Sequence, residues 1–404
     1  VSFNKRILIS FGERPAARKT GREISANACS ISASRNRLAA KAGTVERPAY
    51  INNAILFILY IDDKPKSLKY SVVTTVWNLL MKNSTRGNVD AFIVMDVMEA
   101  ARRAESKGRH IIHMEVGQPG TSAPKGALEA LKGHMQSEPM GYTVALGLPD
   151  LRSKIAELYQ KWYGMSLNPD RVIVTSGSSG AFLLAFNSLF DTGDRVGIGA
   201  PGYPSYRQIL KALGLFAVDI DTTEENRFQP VAEDILSENL AGLLVASPAN
   251  PTGTMLDAHS LSALIKGCQD VGAAFISDEI YHGIEYERKA VSALEISEDC
   301  YVINSFSKYF SMTGWRVGWM VVPETHIRRI ERLAQNLFIC APHASQIAAL
   351  GALDCCDELE ENMAVYRVNR QLMLDGLSTA GFDRIAPPDG AFYVYADVSH
   401  LTED

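Results

Sequence analysis

The first candidate for chemistry is a lysine that directly follows an apolar run. Lys308 lies in the segment SFSKYFSMTGWRVGW, residues 305–319. A lysine in a partly desolvated site has a lowered pKa and can act as a nucleophile or form a Schiff base. In the same segment, Arg316 and the hydroxyls of Ser305 and Ser307 are suited to a phosphate. Taken alone, the segment is also compatible with a solvated loop lysine.

An acidic pair ends another apolar run. Asp278 and Glu279 follow AAFIS, and Tyr281 lies three residues beyond Asp278. An acid at the carboxyl end of a central strand points into the crevice where ligands bind, and it can pair there with a protonated ring nitrogen or a metal. The alternative is a helix cap or a structural ion pair. We interpret the neighbouring His282 as a structural residue rather than a functional one.

Three further turns contain groups that could bind a phosphorylated ring. The turn TSGSSG, residues 175–180, opens a helix whose free N–H groups and dipole favour a phosphate near Ser178 and Ser179. Asn250 in SPANPTGT could hydrogen-bond a phenolic oxygen, and Tyr203 in PGYPSY offers an aromatic plate for a flat ring. Each turn by itself could also be an ordinary loop between secondary-structure elements, without a role in ligand binding.

The candidate residues follow predicted strands. From residue 88 onward, apolar runs typical of strands alternate with helical patterns, as in the segments 171–190 and 261–281. This alternation predicts an open α/β sheet. Ligands in such sheets bind outside the carboxyl ends of the strands, so the predicted site lies at that edge.

Length and composition describe an ordinary globular protein. The 404 residues suffice for more than one packed core, and the 47% apolar and 21% charged residues exclude disorder over the whole length. A net charge of -6 and a pI near 5.8 argue against nucleic acid as a partner. Six cysteines without C-x-x-C or histidine pairing indicate reduced thiols rather than a metal site, and hence a cytoplasmic protein.

The front of the chain differs from the rest in charge. Residues 1–87 hold 15 Lys and Arg against 5 Asp and Glu, whereas the remaining 317 residues hold 25 against 41. We interpret residues 1–87 as a basic N-terminal extension, either a leader or upstream sequence translated in error. A disordered tail and a genuine accessory domain are the alternatives. The apolar run 54–61 is far shorter than the ~20 residues of a membrane span, so no membrane association is expected.

Together the candidate groups match one ligand. They specify a planar, phosphorylated aldehyde whose ring nitrogen needs an acidic partner, which is pyridoxal phosphate. In this hypothesis Lys308 forms the Schiff base and later moves a proton between the substrate α-carbon and the cofactor. Asp278 keeps the ring nitrogen protonated, so that the ring accepts electrons.

From about residue 88 the chain resembles the class I/II aminotransferases of the fold-type I pyridoxal-phosphate enzymes, in their bacterial aspartate-aminotransferase-like branch. The resemblance rests on VGQPG, GYTVALGLPDLR, TSGSSGAF, PGYPSY, SPANPTGT, SDEIYHGIEY and SFSKYFSMTGWRVGW, which occur in the family's order. It implies a mostly parallel seven-stranded sheet flanked by helices, with a smaller α/β domain that is truncated at the C-terminus. It also implies transfer of an amino group from an L-amino acid to a 2-oxo acid.

The resemblance gives each candidate a role. Lys308 carries the cofactor, and Asp278 pairs with its ring nitrogen. Tyr142 would reach the phosphate in the neighbouring subunit's site, which implies a homodimer, and Gly117 would lie against the substrate carboxylate. The other implied contacts are hydrogen bonds to the phenolic oxygen from Tyr281 and Asn250, ring stacking by Tyr203, and phosphate binding by Ser178, Ser179, Ser305 and Arg316.

One departure from the family concerns the C-terminus. The family's arginine that binds the substrate α-carboxylate lies well after the segment 390–399, and this chain ends at Asp404 without it. We therefore expect an incomplete small domain and weak or absent transamination by the chain as given. The predicted division is an extension at 1–87, an N-terminal part of the small domain at 88–123, a large cofactor-binding domain at 124–345 and the rest of the small domain at 346–404.

Two alternative functions stay open. The same cofactor contacts serve pyridoxal-phosphate-dependent carbon–sulfur lyases, because the cofactor does the chemistry and the substrate pocket selects the bond. A transcription regulator that joins a DNA-binding segment to an aminotransferase-like sensor would account for the basic residues 1–87, although these lack a clear helix-turn-helix pattern. The sequence does not favour one amino-acid substrate over another.

Overall fold

A sheet of seven strands lies at the centre of the computed structural model, which describes residues 82–399 and 401. The spatial order is β1-β7-β6-β5-β4-β2-β3, and among these described strands only β7 runs antiparallel to its neighbours. The mostly parallel seven-stranded α/β sheet expected from the sequence is confirmed. The strands are β1 (Val172–Thr175), β2 (Arg195–Ala200), β3 (Phe216–Asp221), β4 (Gly242–Ala246), β5 (Ala274–Asp278), β6 (Tyr301–Ser305) and β7 (Gly318–Val321).

Ten α-helices of the described residues accompany the sheet. Many of these helices begin and end at residues that favour helix termini. For example, the carboxylate of Asp257 accepts a hydrogen bond from the backbone N–H of Ser260 at 2.8 Å at the start of α7, and Gly272 ends that helix with a φ of 72°. The helices are α1 (Ile93–Glu105), α2 (Lys125–Ser137), α3 (Pro149–Tyr163), α4 (Gly177–Leu189), α5 (Pro204–Leu213), α6 (Ala232–Ser237), α7 (Ala258–Val271), α8 (Ile327–Leu337), α9 (His343–Ala352) and α10 (Cys356–Thr379).

The strands are apolar on both faces because helices cover both faces of the sheet. Leu244 and Ile276 belong to a core that also contains buried residues of α4, α5 and α8. Their chain neighbours Leu243 and Phe275 belong to a second core with residues of α3, α6 and α7. Since successive strand side chains point to opposite faces, each strand contributes to both cores, which explains the continuous apolar runs in the sequence.

The central parallel strands end at the same edge of the sheet. Ala246 at the end of β4 pairs with Asp278 at the end of β5, and Asp278 pairs with Ile303 of β6. On the other side of the sheet, β1 ends at Thr175 and α4 begins at Gly177. The loops that follow these strands therefore gather at one edge.

The predicted N-terminal extension lies largely outside the described residues, which begin at residue 82. The apolar run 54–61 falls in that part and has no structural description. Among the described residues, no helix has both the length and the apolarity that crossing a membrane requires. The proposed domain boundaries at 124–345 and 346–404 stay a prediction.

Candidate active site

A cavity of about 260 Å³ lies at the edge where the parallel strands end. It brings together nine of the eleven site residues predicted from the sequence, and leaves out Ser305 and Tyr142. Three further lining residues are central to its chemistry, namely Tyr206, Ser307 and Tyr393. The predicted residues that line the cavity are Gly117, Ser178, Ser179, Tyr203, Asn250, Asp278, Tyr281, Lys308 and Arg316.

Lys308 extends from the turn after β6 into the cavity. Its Nζ donates a hydrogen bond to the carbonyl oxygen of Gly117 and lies 5.5 Å from the centre of the Tyr281 ring. Burial lowers the pKa of Lys308 to about 8; the negative charge of Asp278 opposes this shift, and the positive charge of Arg316 reinforces it. A substantial share of the amine is therefore unprotonated near pH 8, which is the nucleophilic form.

Asp278 is the last residue of β5 and is only 3% exposed. Burial raises the pKa of its carboxyl to about 6, even though the Tyr206 hydroxyl and the Ile280 backbone N–H donate hydrogen bonds to it. A buried acid of this kind is suited to sharing a proton with a basic ring nitrogen. Glu279 lies outside this cavity lining, and its carboxylate accepts a hydrogen bond from the Ser292 hydroxyl at 2.9 Å.

The start of α4 and Arg316 form a cationic corner of the cavity. Gly177 has a φ of 69°, and a Cβ there would lie 2.4 Å from a guanidinium nitrogen of Arg316, so glycine is what permits this approach. Ser178 and Ser179 follow in the first turn, where backbone N–H groups lack intrahelical acceptors. Arg316 donates to the Thr313 carbonyl at 3.0 Å, and no carboxylate of the described residues pairs with it. This corner can bind an anion such as phosphate.

Asn250 and Tyr281 meet at the hydroxyl of a residue that the sequence analysis did not select. Tyr393 Oη lies 2.6 Å from Tyr281 Oη and accepts a hydrogen bond from Asn250 Nδ2 at 3.3 Å. Tyr393 belongs to the aromatic run GAFYVY, which begins at Gly390. The sequence pattern that could have indicated Tyr393 as a site residue is this aromatic run after a glycine. Its hydrogen-bond partners, Asn250 and Tyr281, are distant in sequence.

Ser305 lies behind the cavity wall rather than in it. It is 1% exposed, and its hydroxyl donates to Ser307 Oγ at 2.8 Å and approaches the Val317 carbonyl at 3.3 Å. The placement therefore does not support the predicted contact between Ser305 and a phosphate. Ser307 lines the cavity and replaces Ser305 as the candidate hydroxyl of this turn.

Tyr203 borders the cavity directly before α5, and Tyr206 follows in the first turn of that helix. Their ring centres are 5.2 Å apart with planes at 80°. Residues three apart at a helix start lie on the same side, so the spacing in PGYPSY could have identified Tyr206 as a site residue.

Gly117 and Tyr142 are the two predicted residues nearest the N-terminus, and the structure places them differently. Gly117 lies beside Lys308, and a Cβ at this position would lie 2.0 Å from the hydroxyl oxygen of Tyr393. A side chain is thus excluded at residue 117. Tyr142 is 84% exposed and is not part of the cavity of its own chain, so its role in a neighbouring subunit stays a prediction.

Comparison with known proteins agrees with this fold. The sequence model of the aminotransferase class I and II family matches residues 109–404. The chain therefore belongs to this family, as its resemblance predicted.

The named relatives and solved structures that resemble this chain are aminotransferases. The valine–pyruvate aminotransferase of Mycobacterium tuberculosis is 46% identical over 325 residues, which is 79% of this chain and 84% of the relative. A crystal structure of a candidate aminotransferase from Silicibacter pomeroyi aligns with a TM-score of 0.76 and 68% identity, over 80% of this chain and 85% of that one. The structure of the aspartate aminotransferase of Thermus thermophilus with maleate aligns with a TM-score of 0.76 and 28% identity, over 80% of this chain and 87% of that one. The chain is a transaminase with the fold of the fold-type I aminotransferases.

Proposed function

We propose that this chain is a pyridoxal-phosphate-dependent enzyme that moves an amino group from an L-amino acid to a 2-oxo acid, with Lys308 as the residue that bonds the cofactor. One observation carries the proposal. The Lys308 amine, whose pKa is lowered, and the buried Asp278 carboxyl, whose pKa is raised, line one cavity with the cationic corner at Arg316. The aldehyde, ring nitrogen and phosphate of the cofactor match these three groups.

The cationic corner fits a phosphate group. Gly177 allows the Arg316 guanidinium to approach the start of α4, and Arg316 has no carboxylate among the described residues to neutralise it. Hydroxyls of Ser178, Ser179 and Ser307 line the same cavity. The residues that would hold the rest of the cofactor are Asp278 at the ring nitrogen, Asn250 and Tyr281 at the ring oxygen, and Tyr203 at the ring face.

When bound, pyridoxal phosphate supplies an electrophilic carbon and an electron-withdrawing ring. The unprotonated amine of Lys308 takes the proton from the α-carbon of the bound amino acid. Asp278, ionised above about pH 6, holds a proton on the ring nitrogen. Burial keeps the pKa of the amine low, and the rings of Tyr281 and Phe392, whose centres lie 5.5 and 5.6 Å from Lys308 Nζ, are among its neighbours.

We further propose that the amino-acid substrate has an apolar side chain. Phe92, Val94 and Val116 contribute to the cavity, and among its described lining residues the cations are Lys308 and Arg316. Both cations are assigned to the cofactor, so these residues offer no third cation for a side-chain carboxylate. The relative named valine–pyruvate aminotransferase supports this substrate class. We expect kcat/KM for L-valine or L-alanine with pyruvate to exceed that for L-aspartate; the reverse order would contradict the proposal.

We also propose that the enzyme is a cytoplasmic homodimer in which Tyr142 of one chain reaches the phosphate of the other. The family resemblance, the exposed position of Tyr142 and the free cysteines support this arrangement. Mixing the variants Lys308→Ala and Tyr142→Ala tests it, because a mixed dimer regains one complete site. Activity that stays at the level of the separate variants would contradict the shared site.

Visible absorbance of the purified chain with added pyridoxal phosphate tests the main proposal. We expect a protein-bound band in the wild type and in Lys266→Ala, a control whose lysine pairs with Asp270 on the surface of α7. Lys308→Ala should lack the band. An L-amino acid should bleach the wild-type band and a 2-oxo acid should restore it, and the weak transamination expected from the sequence should make both changes slow.

Two results would go against this assignment. A band of equal strength in Lys308→Ala would contradict the role of the lysine. Steady release of ammonia and a thiol from a cysteine-like substrate without any 2-oxo acid would favour the carbon–sulfur lyase alternative.

A further inference from the structure

The hydroxyl of Tyr393 contacts both side chains that the proposed function assigns to the ring oxygen of the cofactor. Tyr281 Oη lies 2.6 Å away, and Asn250 Nδ2 lies 3.3 Å away. An amide nitrogen donates and never accepts, so the Tyr393 oxygen is the acceptor from Asn250. Either tyrosine hydroxyl can donate the hydrogen bond that joins the Tyr281 and Tyr393 oxygens.

The backbone near Tyr393 is attached to the two loops that contain these partners. Gly390 N donates to the Gly253 carbonyl at 3.0 Å in the loop after β4, and Ala391 N donates to the Ile284 carbonyl at 2.9 Å in the turn after β5. Ala391 has a φ of 59°, a left-handed value that alanine adopts only under structural constraint. The position of Tyr393 is therefore fixed relative to both loops.

The two tyrosines keep their protons over the working pH range. Burial raises the pKa of Tyr393 to about 12 and also raises that of Tyr281. The pair thus holds two protons on two oxygen atoms, and one of these protons lies between the oxygens.

We propose that Tyr393 is a positioning residue of the active site, whose hydrogen bond with Tyr281 holds the Tyr281 hydroxyl in place for the ring oxygen of the cofactor. This inference rests on the proposed function. The Asn250 amide, the Tyr393 hydroxyl and the Tyr281 hydroxyl form a series of hydrogen bonds, and hydrogen bonds in series strengthen one another. Tyr393 acts through Tyr281 and does not itself bind the cofactor.

Tyr393→Phe removes the hydroxyl and keeps the ring. Tyr395→Phe is the matched control, because Tyr395 lies two residues further along, packs against Phe228 with ring centres 5.6 Å apart, and is not part of the cavity. The readouts are the dissociation constant of pyridoxal phosphate and the pH midpoint of the absorption band of the bound cofactor. Neither readout requires turnover.

Tyr393→Phe should weaken cofactor binding by roughly threefold to tenfold, the effect of one lost hydrogen bond. It should also move the pH midpoint upward by about half a unit, because weaker donation leaves more negative charge on the ring oxygen and favours a nearby proton. The charged groups beside Lys308, which are Asp278 and Arg316, are the same in both proteins. Tyr395→Phe should match the wild type in both readouts.

A double-mutant cycle with Tyr281→Phe shows whether Tyr393 acts through Tyr281. In that background Tyr393→Phe should have no further effect on either readout. Fully additive effects, or a Tyr393→Phe protein identical to the wild type, would overturn the inference. A wild type without any Lys308-dependent band would instead contradict the proposed function, so the two failures are distinguishable.

Discussion

Two regions meet at the cavity, and they are built in different ways. The strand-end wall, which we define as residues 274–281 and 305–316, contains the buried Asp278 and the half-buried Lys308, with the exposed Arg316 at its end. The covering segment, residues 110–118, is mostly exposed, with Met114 at 79%, and α1 before it has no buried residue. Yet this segment places Gly117 against Lys308.

The difference follows from what each region has to do. Burial shifts the pKa values of Lys308 and Asp278, and burial is available at the ends of central strands. A residue that only approaches the substrate can lie on a segment with few buried contacts, and such segments open at low cost in free energy. We therefore expect changes in the strand-end wall to alter chemistry and cofactor binding, and changes in the covering segment to alter substrate binding.

The largest expected effect comes from the charge at the end of β5. In Asp278→Asn the cofactor ring nitrogen loses its anionic partner, so kcat should fall by roughly 10²–10³-fold, about the effect of losing one electrostatic stabiliser. Asp270→Asn on the surface of α7 is the control and should keep wild-type kcat. A steady-state assay that finds Asp278→Asn within a few-fold of the wild type would remove Asp278 from the mechanism.

The same substitution should stabilise the cofactor-free chain at alkaline pH. Burial raises the Asp278 pKa from 3.8 to about 6, so the stability linked to its proton is fully present below pH 3.8 and is lost as the pH rises through 6. A shift of about two units corresponds to roughly 3 kcal/mol. Thermal unfolding of Asp278→Asn should occur at a higher temperature than that of the wild type at pH 8, and the difference should disappear near pH 3.5. Equal unfolding temperatures at pH 8 would contradict the burial cost.

The next effect concerns cofactor affinity at the cationic corner. Arg316→Gln should raise the dissociation constant of pyridoxal phosphate by roughly 10–100-fold, as expected for a lost charge-assisted hydrogen bond. Inorganic phosphate should compete with the cofactor in the wild type and much less in the variant. Arg328→Gln, which breaks a surface ion pair with Glu331 on α8, is the control. Unchanged affinity in Arg316→Gln would place the phosphate elsewhere.

Much of the strand-end wall could be predicted from the sequence because its key residues directly follow apolar runs. Asp278 ends β5, and Lys308 lies three residues after β6. In a parallel sheet these ends share one edge, so order along the chain is enough to bring the side chains together. The sheet itself could be predicted for the same reason, since its strands are near-continuous apolar runs.

Contacts between distant segments could not be predicted in this way. Ser305 and Ser307 are equivalent in the sequence, and the Val317 carbonyl across the turn helps to hold the Ser305 hydroxyl away from the cavity. Tyr393 reaches Tyr281 from near the end of the chain, through backbone hydrogen bonds that leave no local pattern. The exposed covering segment has no strong apolar periodicity, and the family resemblance implied only that Gly117 lies against the substrate carboxylate, so its contact with Lys308 was not predicted.

A substitution in the covering segment should separate substrate binding from cofactor binding. The Cβ of Gly117→Ala would meet the Tyr393 hydroxyl oxygen at 2.0 Å, so the segment must move away from Lys308. We expect KM for the amino acid to rise roughly tenfold, within the usual cost of overpacking, and the cofactor dissociation constant to change less than about twofold. Gly120→Ala is the control, since a Cβ there meets nothing within 4 Å. A larger change in cofactor affinity than in KM would show that the two regions are not separable.

The smallest expected effect comes from His113, which joins the covering segment to α1. Its ring nitrogens lie 2.7 Å from Glu115 and 2.8 Å from Glu105, and these hydrogen bonds raise its pKa to about 9. The stabilisation is therefore fully present below the ordinary value near pH 6.5 and is lost as the pH rises through 9.

Because these groups are exposed, His113→Gln should lower the hydrogen-exchange protection of residues 110–118 by only about twofold at pH 7, and by less near pH 9. Protection of residues 274–281 should not change, since no side chain of that strand contacts His113 in the described structure. If both peptides lose protection equally, the covering segment and the strand-end wall open as one unit, and the separation of substrate binding from cofactor chemistry would have to be abandoned.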